Sequence, residues 1–327
     1  MMEKTPLLEV RNVTKIFKLG GIFFGNKIAA VEDANLILEQ TKSKTLTLAG
    51  ESGSGKTTLA RIILGLLEPT KGKVLYKGRD IFRMNKNEKK NFRKQVQPIF
   101  QNPYESLNFL RKVDSYLRDT ALNFGIASNE NVEDVISEAL EIVGLRFKEI
   151  RGRYPHELSG GQLQRVAIAR ALITKPRILV ADEPVSMVDA SSRMGILNLF
   201  LELKKKFGTN IIYITHDLAT AYYMGDEIAI MYRGNIVEYG SVEKVLTQPL
   251  HPYTHILLQS IPEPDPFKRW SEEIKLSSLE VKEFQALGCK FADRCPQATD
   301  KCREKRPPTL MIEDRSWYWT NALFYQI

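Results

Sequence analysis

Cysteine is scarce in this 327-residue chain: there are three, all between positions 289 and 302. Thiols so few and so closely grouped exclude a secreted disulfide framework. Long apolar runs are missing as well, and no stretch of the sequence approaches the roughly 18 residues that a bilayer-spanning helix needs. The opening MMEKTPLLEV has no apolar core of a signal peptide, which predicts a chain kept in the cytosol. Internal repeats of about 20–50 residues are absent, so solenoids and propellers are excluded.

What is present is ordinary globular composition, 43% hydrophobic and 26% charged. The length supports a sizeable core, as one large domain with an appendage. A net charge of +8 is unevenly placed: residues 241–327 hold 12 Lys+Arg against 12 Asp+Glu, leaving 35 against 27 in residues 1–240. Such an excess favours polyanionic ligands or an acidic membrane surface only weakly. The basic run RMNKNEKKNFRK at 83–94 reads as a solvated helix face rather than a nucleic-acid patch.

Along the chain, β-forming runs at 7–17, 28–38 and 45–49 precede Gly50-Glu51-Ser52-Gly53-Ser54-Gly55-Lys56-Thr57-Thr58, after which a helical run follows. A GxxxxGK[ST] loop between strand and helix is a phosphate cradle. Its glycines let successive N–H groups point inward, Lys56 supplies a charge to the β/γ-phosphates, and Thr57 offers its hydroxyl to Mg²⁺. Strand signals recur at 73–76 and 96–100, and the pattern turns helical between Tyr104 and Ser159. There Val132, Val135, Ile136, Ala139, Leu140 and Val143 share a face, Asn131 with Asp134 resembles a capping pair, and Gly144 suits the C′ position. Strands at 178–181, 210–215, 227–232 and 235–239, with helices at about 192–206 and after His216-Asp217, restore an alternation that argues for a mostly parallel sheet.

A second anion site is written at LSGGQLQRVAIARAL, residues 158–172. Ser159 is placed to cap a helix, Gly160 and Gly161 let backbone N–H groups approach a ligand, and Gln162 follows. An apolar run at 178–181 ends in Asp182-Glu183, an acid pair fit to order a metal shell and to deprotonate water. His216 follows a strand, where an imidazole could donate to a phosphate.

Together GESGSGKT at 50–57, Gln101, LSGGQ at 158–162, ILVADE at 178–183 and His216 resemble, in order, the nucleotide-binding subunit of ABC transporters, over roughly residues 7–245. The resemblance implies an α/β P-loop NTPase fold with a mostly parallel sheet, an antiparallel β subdomain, an α-helical subdomain at about 104–160 and a small C-terminal extension. On that pattern residues 1–245 form the ATPase domain and 246–327 the extension. It implies ATP and Mg²⁺ as ligands, Glu183 as the base, His216 and Gln101 beside the γ-phosphate, and Thr57, Asp182 and Gln101 around the metal. Asp189 falls at the D-loop aspartate, Phe17 at the aromatic that stacks on adenine, and Ser159, Gly160, Gly161 and Gln162 at the motif that closes a partner's site. Pro184-Val185-Ser186-Met187 departs from the Pro-Thr-Ser-Ala of many relatives without touching a group that carries chemistry.

The tail resembles the C-terminal extension of the oligopeptide/dipeptide importer group, through QPLHPYTHILLQS at 248–260 and GCKFADRCPQATDKCREKRPP at 288–308. In many members that segment holds four cysteines around a [4Fe–4S] cluster; Cys289, Cys295 and Cys302 match three, and the fourth has no counterpart. A cluster with an open or borrowed ligand and a vestigial site both stay open, while zinc is disfavoured because all four histidines lie outside the segment. The group implies import of peptides, with oligosaccharides as the alternative cargo. It also implies a second, related but different ATPase subunit, two transmembrane permease subunits, an extracellular solute-binding protein and a place on the cytoplasmic face of the membrane. Soluble ABC ATPases acting on ribosomes or DNA carry two cassettes or a long coiled-coil insert; neither is present, so no nucleic-acid partner is expected.

Overall fold

In a computed structural model, residues 5–19, 26–260, 280–312 and 315–319 are described. The chain opens on two long strands, β1 (Leu8–Leu19) and β2 (Asn26–Leu38), then β3 (Thr45–Ala49) and α1 (Lys56–Ile63). Next come β4 (Lys71–Tyr76), β5 (Arg79–Asp80), α2 (Lys86–Gln95) and β6 (Val96–Ile99). The helical stretch supplies α3 (Val113–Asn123), α4 (Val132–Ile142), α5 (Phe147–Ile150) and α6 (Gly160–Leu172). Alternation then resumes with β7 (Ile178–Asp182), α7 (Ala190–Phe207), β8 (Asn210–Thr215), α8 (Leu218–Met224), β9 (Glu227–Tyr232) and β10 (Asn235–Ser241). The tail adds α9 (Val242–Thr247), α10 (Pro252–Gln259), α11 (Glu280–Gln285), α12 (Asp300–Glu304), β11 (Thr309–Ile312) and β12 (Arg315–Trp319).

Two compact units divide these elements, one of residues 1–5, 39–45 and 79–214, the other of 6–38, 46–78 and 215–327. In the first, β6, β7 and β8 pair in parallel, Val96 opposite Ile178 and Ile178 opposite Asn210. Ile178 to Ala181 and all of β8 are buried, as expected of parallel strands covered on both faces. Helix α7 lays Ile196, Leu197, Phe200 and Leu203 on one buried stripe and ends at Gly208, whose φ of 66° is the left-handed cap position. Helices α3, α4 and α6 pack on one another, and α4 buries Val132, Ile136, Ala139 and Leu140, the face its periodicity predicts. Gly144 takes the expected left-handed conformation, φ 72°. Asn131 does not cap through its side chain: its Oδ1 accepts instead from the N–H and hydroxyl of Ser128, at 2.8 and 3.2 Å, closing the preceding turn. In α2 only Phe92 of the basic run is buried, and Asn85 with Glu88 forms a complete capping box.

In the second unit β1 lies between β2 and β4, antiparallel to both. Bulges in β1 and β2 place Asn12 and Asp33 at φ of 50° and 52°, a conformation these two residue types tolerate best. Asn12 Nδ2 donates to Asp33 Oδ1 at 3.0 Å, tying the bulges together. Strand β3 pairs in parallel with β9, and β9 turns into antiparallel β10 through Arg233 and Gly234, with φ of 42° and 86°. Two left-handed residues between paired strands make the twist-matching hairpin turn. A core of Tyr232, Val242, Val245, Tyr253 and Phe291 packs the tail onto this sheet, with Cys289 and Cys295 against it.

The α7 stripe sets a test of the first unit. Phe200 is fully buried, so Phe200→Ala is expected to cost about 3–5 kcal/mol. The check is the urea midpoint at unchanged transition slope.

Candidate nucleotide site

Strand β3 is buried along its whole length and delivers the chain into the phosphate loop at a fixed point. Gly50 has φ of 146°, and a Cβ there would lie 2.2 Å from Met231 O. Gly55, at φ 105°, is held against Ala30, whose carbonyl oxygen a Cβ would approach to 2.2 Å. These glycines are required by close backbone approach as well as by dihedral. Gly53 shares a positive φ of 75° in a more open place. The far side of the loop is held by Gly234, whose N–H donates to Ser54 O at 2.8 Å.

Helix α1 begins directly after Gly55, with no side-chain cap and no acid in its first turn. The positive end of its dipole therefore faces the loop uncompensated. Lys56, only 5% exposed, donates from Nζ to Gly50 O and Glu51 O at 2.8 Å each and to Ser54 Oγ at 3.3 Å. Ser52, Gly53 and Thr57 are exposed, and Thr58 is half-buried. Cradle, dipole and cation are the donor set that a polyphosphate requires, so the residues present fit a nucleoside triphosphate.

Phe17 belongs to the same unit. It pairs with Ile28, two residues before the Ala30 that abuts Gly55, and its ring is 38% exposed with Lys15 Nζ 5.5 Å from its centroid. His216, also in this unit, is exposed just beyond β8. The next residue, Asp217, caps α8 by accepting from the N–H groups of Ala219 and Thr220.

The remaining candidates for the nucleotide site lie in the first unit. Asp182 closes β7, and Glu183 follows with φ of 44°, a left-handed conformation that a non-glycine residue pays for in strain. The strained turn is fixed by the Glu183 N–H on Ile214 O at 2.9 Å and by Ser186 Oγ on Glu183 O at 3.0 Å. Gln101 Nε2 donates to Glu183 Oε2 at 3.0 Å, so residues 82 apart in sequence meet at one carboxylate.

Ser159 caps α6 as expected: its Oγ accepts from Gln162 N–H at 3.2 Å, and Gln162 Oε1 accepts from Ser159 N–H at 3.0 Å. A Cβ on Gly160 would lie 3.3 Å from Met187 O, and one on Gly161 3.3 Å from Ser192 Oγ. The two glycines thus serve packing against residues 187–192 in addition to leaving N–H groups accessible. Asp189 caps α7 within that segment, accepting from Ser192 N–H at 2.9 Å and from the Ser191 hydroxyl. Those hydrogen bonds, the Ser191 one foremost, hold its carboxyl below the usual range. The sequence pointed to Asp189 and to LSGGQ separately; their juxtaposition is new.

At the cysteine segment the sequence leaves a cluster and a vestigial site both open. Among the described residues no group of three His, Cys, Asp or Glu is placed to hold a metal ion. Cys302 is buried, and its Sγ is engaged by the N–H and hydroxyl of Thr299 at 3.1 and 3.2 Å. Burial, with Cys295 and Cys302 nearby, pushes the Cys289 thiol up to about 11. Cys289 and Cys295 pack against the core beneath the tail, and a cluster gains no support from the described residues. Sequence reasoning also missed Tyr253 and Arg294, which contact the phosphate loop at Glu51 from more than 200 positions away. No local pattern marks either residue.

The family described as ABC transporter matches residues 33–186, and the one described as oligopeptide/dipeptide transporter, C-terminal region, matches residues 237–302. The dipeptide transport ATP-binding protein DppF of Haemophilus influenzae is 41% identical over 309 residues, 93% of each chain. A probable peptide ABC transporter ATP-binding protein of Sinorhizobium fredii is 38% identical over 94% of this chain and 87% of its own. A dimeric ATP-binding cassette solved in a post-hydrolysis state with ADP and Pi superposes with a TM-score of 0.63 at 29% identity, covering 72% of this chain and 98% of that one. Among the described residues no helix is long and apolar enough to cross a membrane. The chain belongs to the ABC transporter family, and its residues 237–302 are the C-terminal region found in that family's oligopeptide/dipeptide transporters.

Proposed function

We propose that this chain is the ATP-hydrolysing subunit of an importer carrying oligopeptides or dipeptides across the cytoplasmic membrane. The observation that carries the reading is the Gln101–Glu183 pair, a carboxylate held in a strained turn with an amide 3.0 Å away. A base of that kind needs an orienting partner and a fixed position. The two relatives described above are named for dipeptide and peptide transport, which supports peptides over oligosaccharides as cargo.

In this reading Lys56 and the backbone of Gly50 to Thr58 hold the phosphates, and Phe17 offers its ring face to adenine. Mg²⁺, held by Thr57, Asp182 and Gln101, would supply charge neutralisation at the β/γ-phosphates. Glu183 accepts a proton from water as its oxygen bonds to the γ-phosphorus and the bond to ADP breaks. His216 donates a hydrogen bond to the γ-phosphate. Ser159, Gly160, Gly161 and Gln162 close the site of a second ATPase subunit, a related but different chain, and Asp189 lies at the same junction.

A groove in the first unit is lined by Phe100, Pro103, Leu107, Tyr116, Ala167 and Arg170. Nearby Phe109 and Leu110 are exposed, 50% and 86%. Apolar exposure beside Gln101 suits the docking of a transmembrane permease subunit, two of which the importer requires. A solute-binding protein outside would present cargo. The ATPase domain of residues 1–245 would then sit on the cytoplasmic face, with 246–327 as its extension.

Recovery of the chain with membranes only when its permease subunits are co-expressed tests the assembly; recovery on ribosomes or DNA overturns it. Lys56→Ala is expected to weaken ATP binding more than about tenfold by calorimetric titration, and unchanged affinity removes the phosphate-loop role. Glu183→Gln is expected to bind ATP, lose hydrolysis by about 10²–10⁴-fold and accumulate a closed dimer on gel filtration. Undiminished turnover would place the base elsewhere.

A further inference from the structure

The phosphate loop contains its own anion. Glu51 follows Gly50, and its carbonyl oxygen is one of the acceptors that hold Lys56. An unneutralised carboxylate in this loop would repel a polyphosphate across a distance too short for salt to screen. Its neutralisation comes from the far end of the chain. Arg294 places Nη1 and Nη2 at 3.2 Å each from the two Glu51 carboxylate oxygens, a two-pronged pair spanning 243 positions.

Arg294 is built into that position. Its side chain is 9% exposed, against 35% for Glu51, so the guanidinium is the more desolvated partner. Its plane lies 5.7 Å from the Tyr232 ring and 5.6 Å from the Phe291 ring, and Nη1 also reaches Tyr232 Oη at 3.4 Å. Tyr232 is fixed in turn by donating to Glu283 at 2.8 Å, and Glu283 also takes Arg233 Nε at 2.7 Å. A second tether reaches the same loop residue: Tyr253 Oη accepts from the Glu51 N–H at 2.9 Å. Tyr253 and Arg294 thus grip Glu51 by main chain and side chain.

We infer that Arg294 is a positioning residue for nucleotide binding: by neutralising and holding Glu51, it lets the loop accept a polyphosphate, making the C-terminal extension part of the ATP site. The inference rests on the phosphate-loop reading above. It separates two roles that a structural tether would confuse. A tether that only shapes the loop is lost with either partner. A neutralising partner is needed only while Glu51 keeps its charge.

The test uses the full chain, ATP titrated calorimetrically, and thermal unfolding of each variant. Arg294→Ala is expected to weaken ATP binding about tenfold or more, through the exposed carboxylate. Glu51→Gln alone is the reference against which the double variant is read. Glu51→Gln combined with Arg294→Ala is expected to recover most of the lost affinity, and Arg294→Lys to recover part of it. If the double variant binds no better than Arg294→Ala, or if Arg294→Ala binds like the parent, the inference is overturned. Loss of thermal stability in Arg294→Ala with unchanged ATP affinity would likewise show a packing role only. Lys56→Ala serves as the control: if it too leaves ATP affinity unchanged, the phosphate-loop reading fails, and with it the premise.

Discussion

Burial of the Lys56 ammonium is the constraint on which the site depends. A charge 5% exposed is expensive unless every donor is satisfied, and the loop satisfies it with Gly50 O, Glu51 O and Ser54 Oγ. Those three acceptors converge only in one loop shape. That shape needs Gly55 pressed on Ala30, Gly50 on Met231, and the Gly234 N–H on Ser54 O. Strands β2, β9 and β10 are therefore walls of the cradle. A nucleotide would take over donors already gathered at one point, so little ordering would remain to be done on binding.

Left-handed backbone marks the places where strands hand over to chemistry. Gly55 opens α1 at φ 105°, Glu183 follows β7 at 44°, and the Arg233–Gly234 turn joins β9 to β10. Glycine adopts this region without cost, whereas Glu183 and Arg233 hold it at some strain. Both are compensated by identifiable bonds: Glu183 by Ile214 O and Ser186, Arg233 by the Glu283 carboxylate. Strain at Glu183 has a functional return, because it aims a side chain off the strand end toward Gln101.

Local pattern was enough for many of the elements up to residue 241 and for the strand–loop–helix setting at 45–63. Alternation and apolar runs gave β1, β3, β7 to β10 and the α4 face, and the GxxxxGK[ST] spacing stood in the strand–loop–helix context that it needs. Two contacts escaped it, each for a physical reason. Asn131 had two turns within reach and bonded backward to Ser128. The Arg294–Glu51 pair spans 243 positions, a separation at which no periodicity or motif carries information.

The packing of LSGGQ bears on assembly. Ser159 and Gln162 satisfy one another, and residues 187–192 approach so closely that a Cβ at Gly160 or Gly161 would lie 3.3 Å from them. Helix α6 therefore begins with main-chain donors presented beside Asp189, on an N-terminus without an acid in its first turn. The sequence contains a single GxxxxGK[ST] loop, already furnished with Lys56 and the α1 dipole. A second anion-binding helix would be redundant for that one nucleotide. It gains a purpose when the phosphates it meets are held by another subunit, so the proposed ATPase would require two chains for a complete site and should turn over poorly alone.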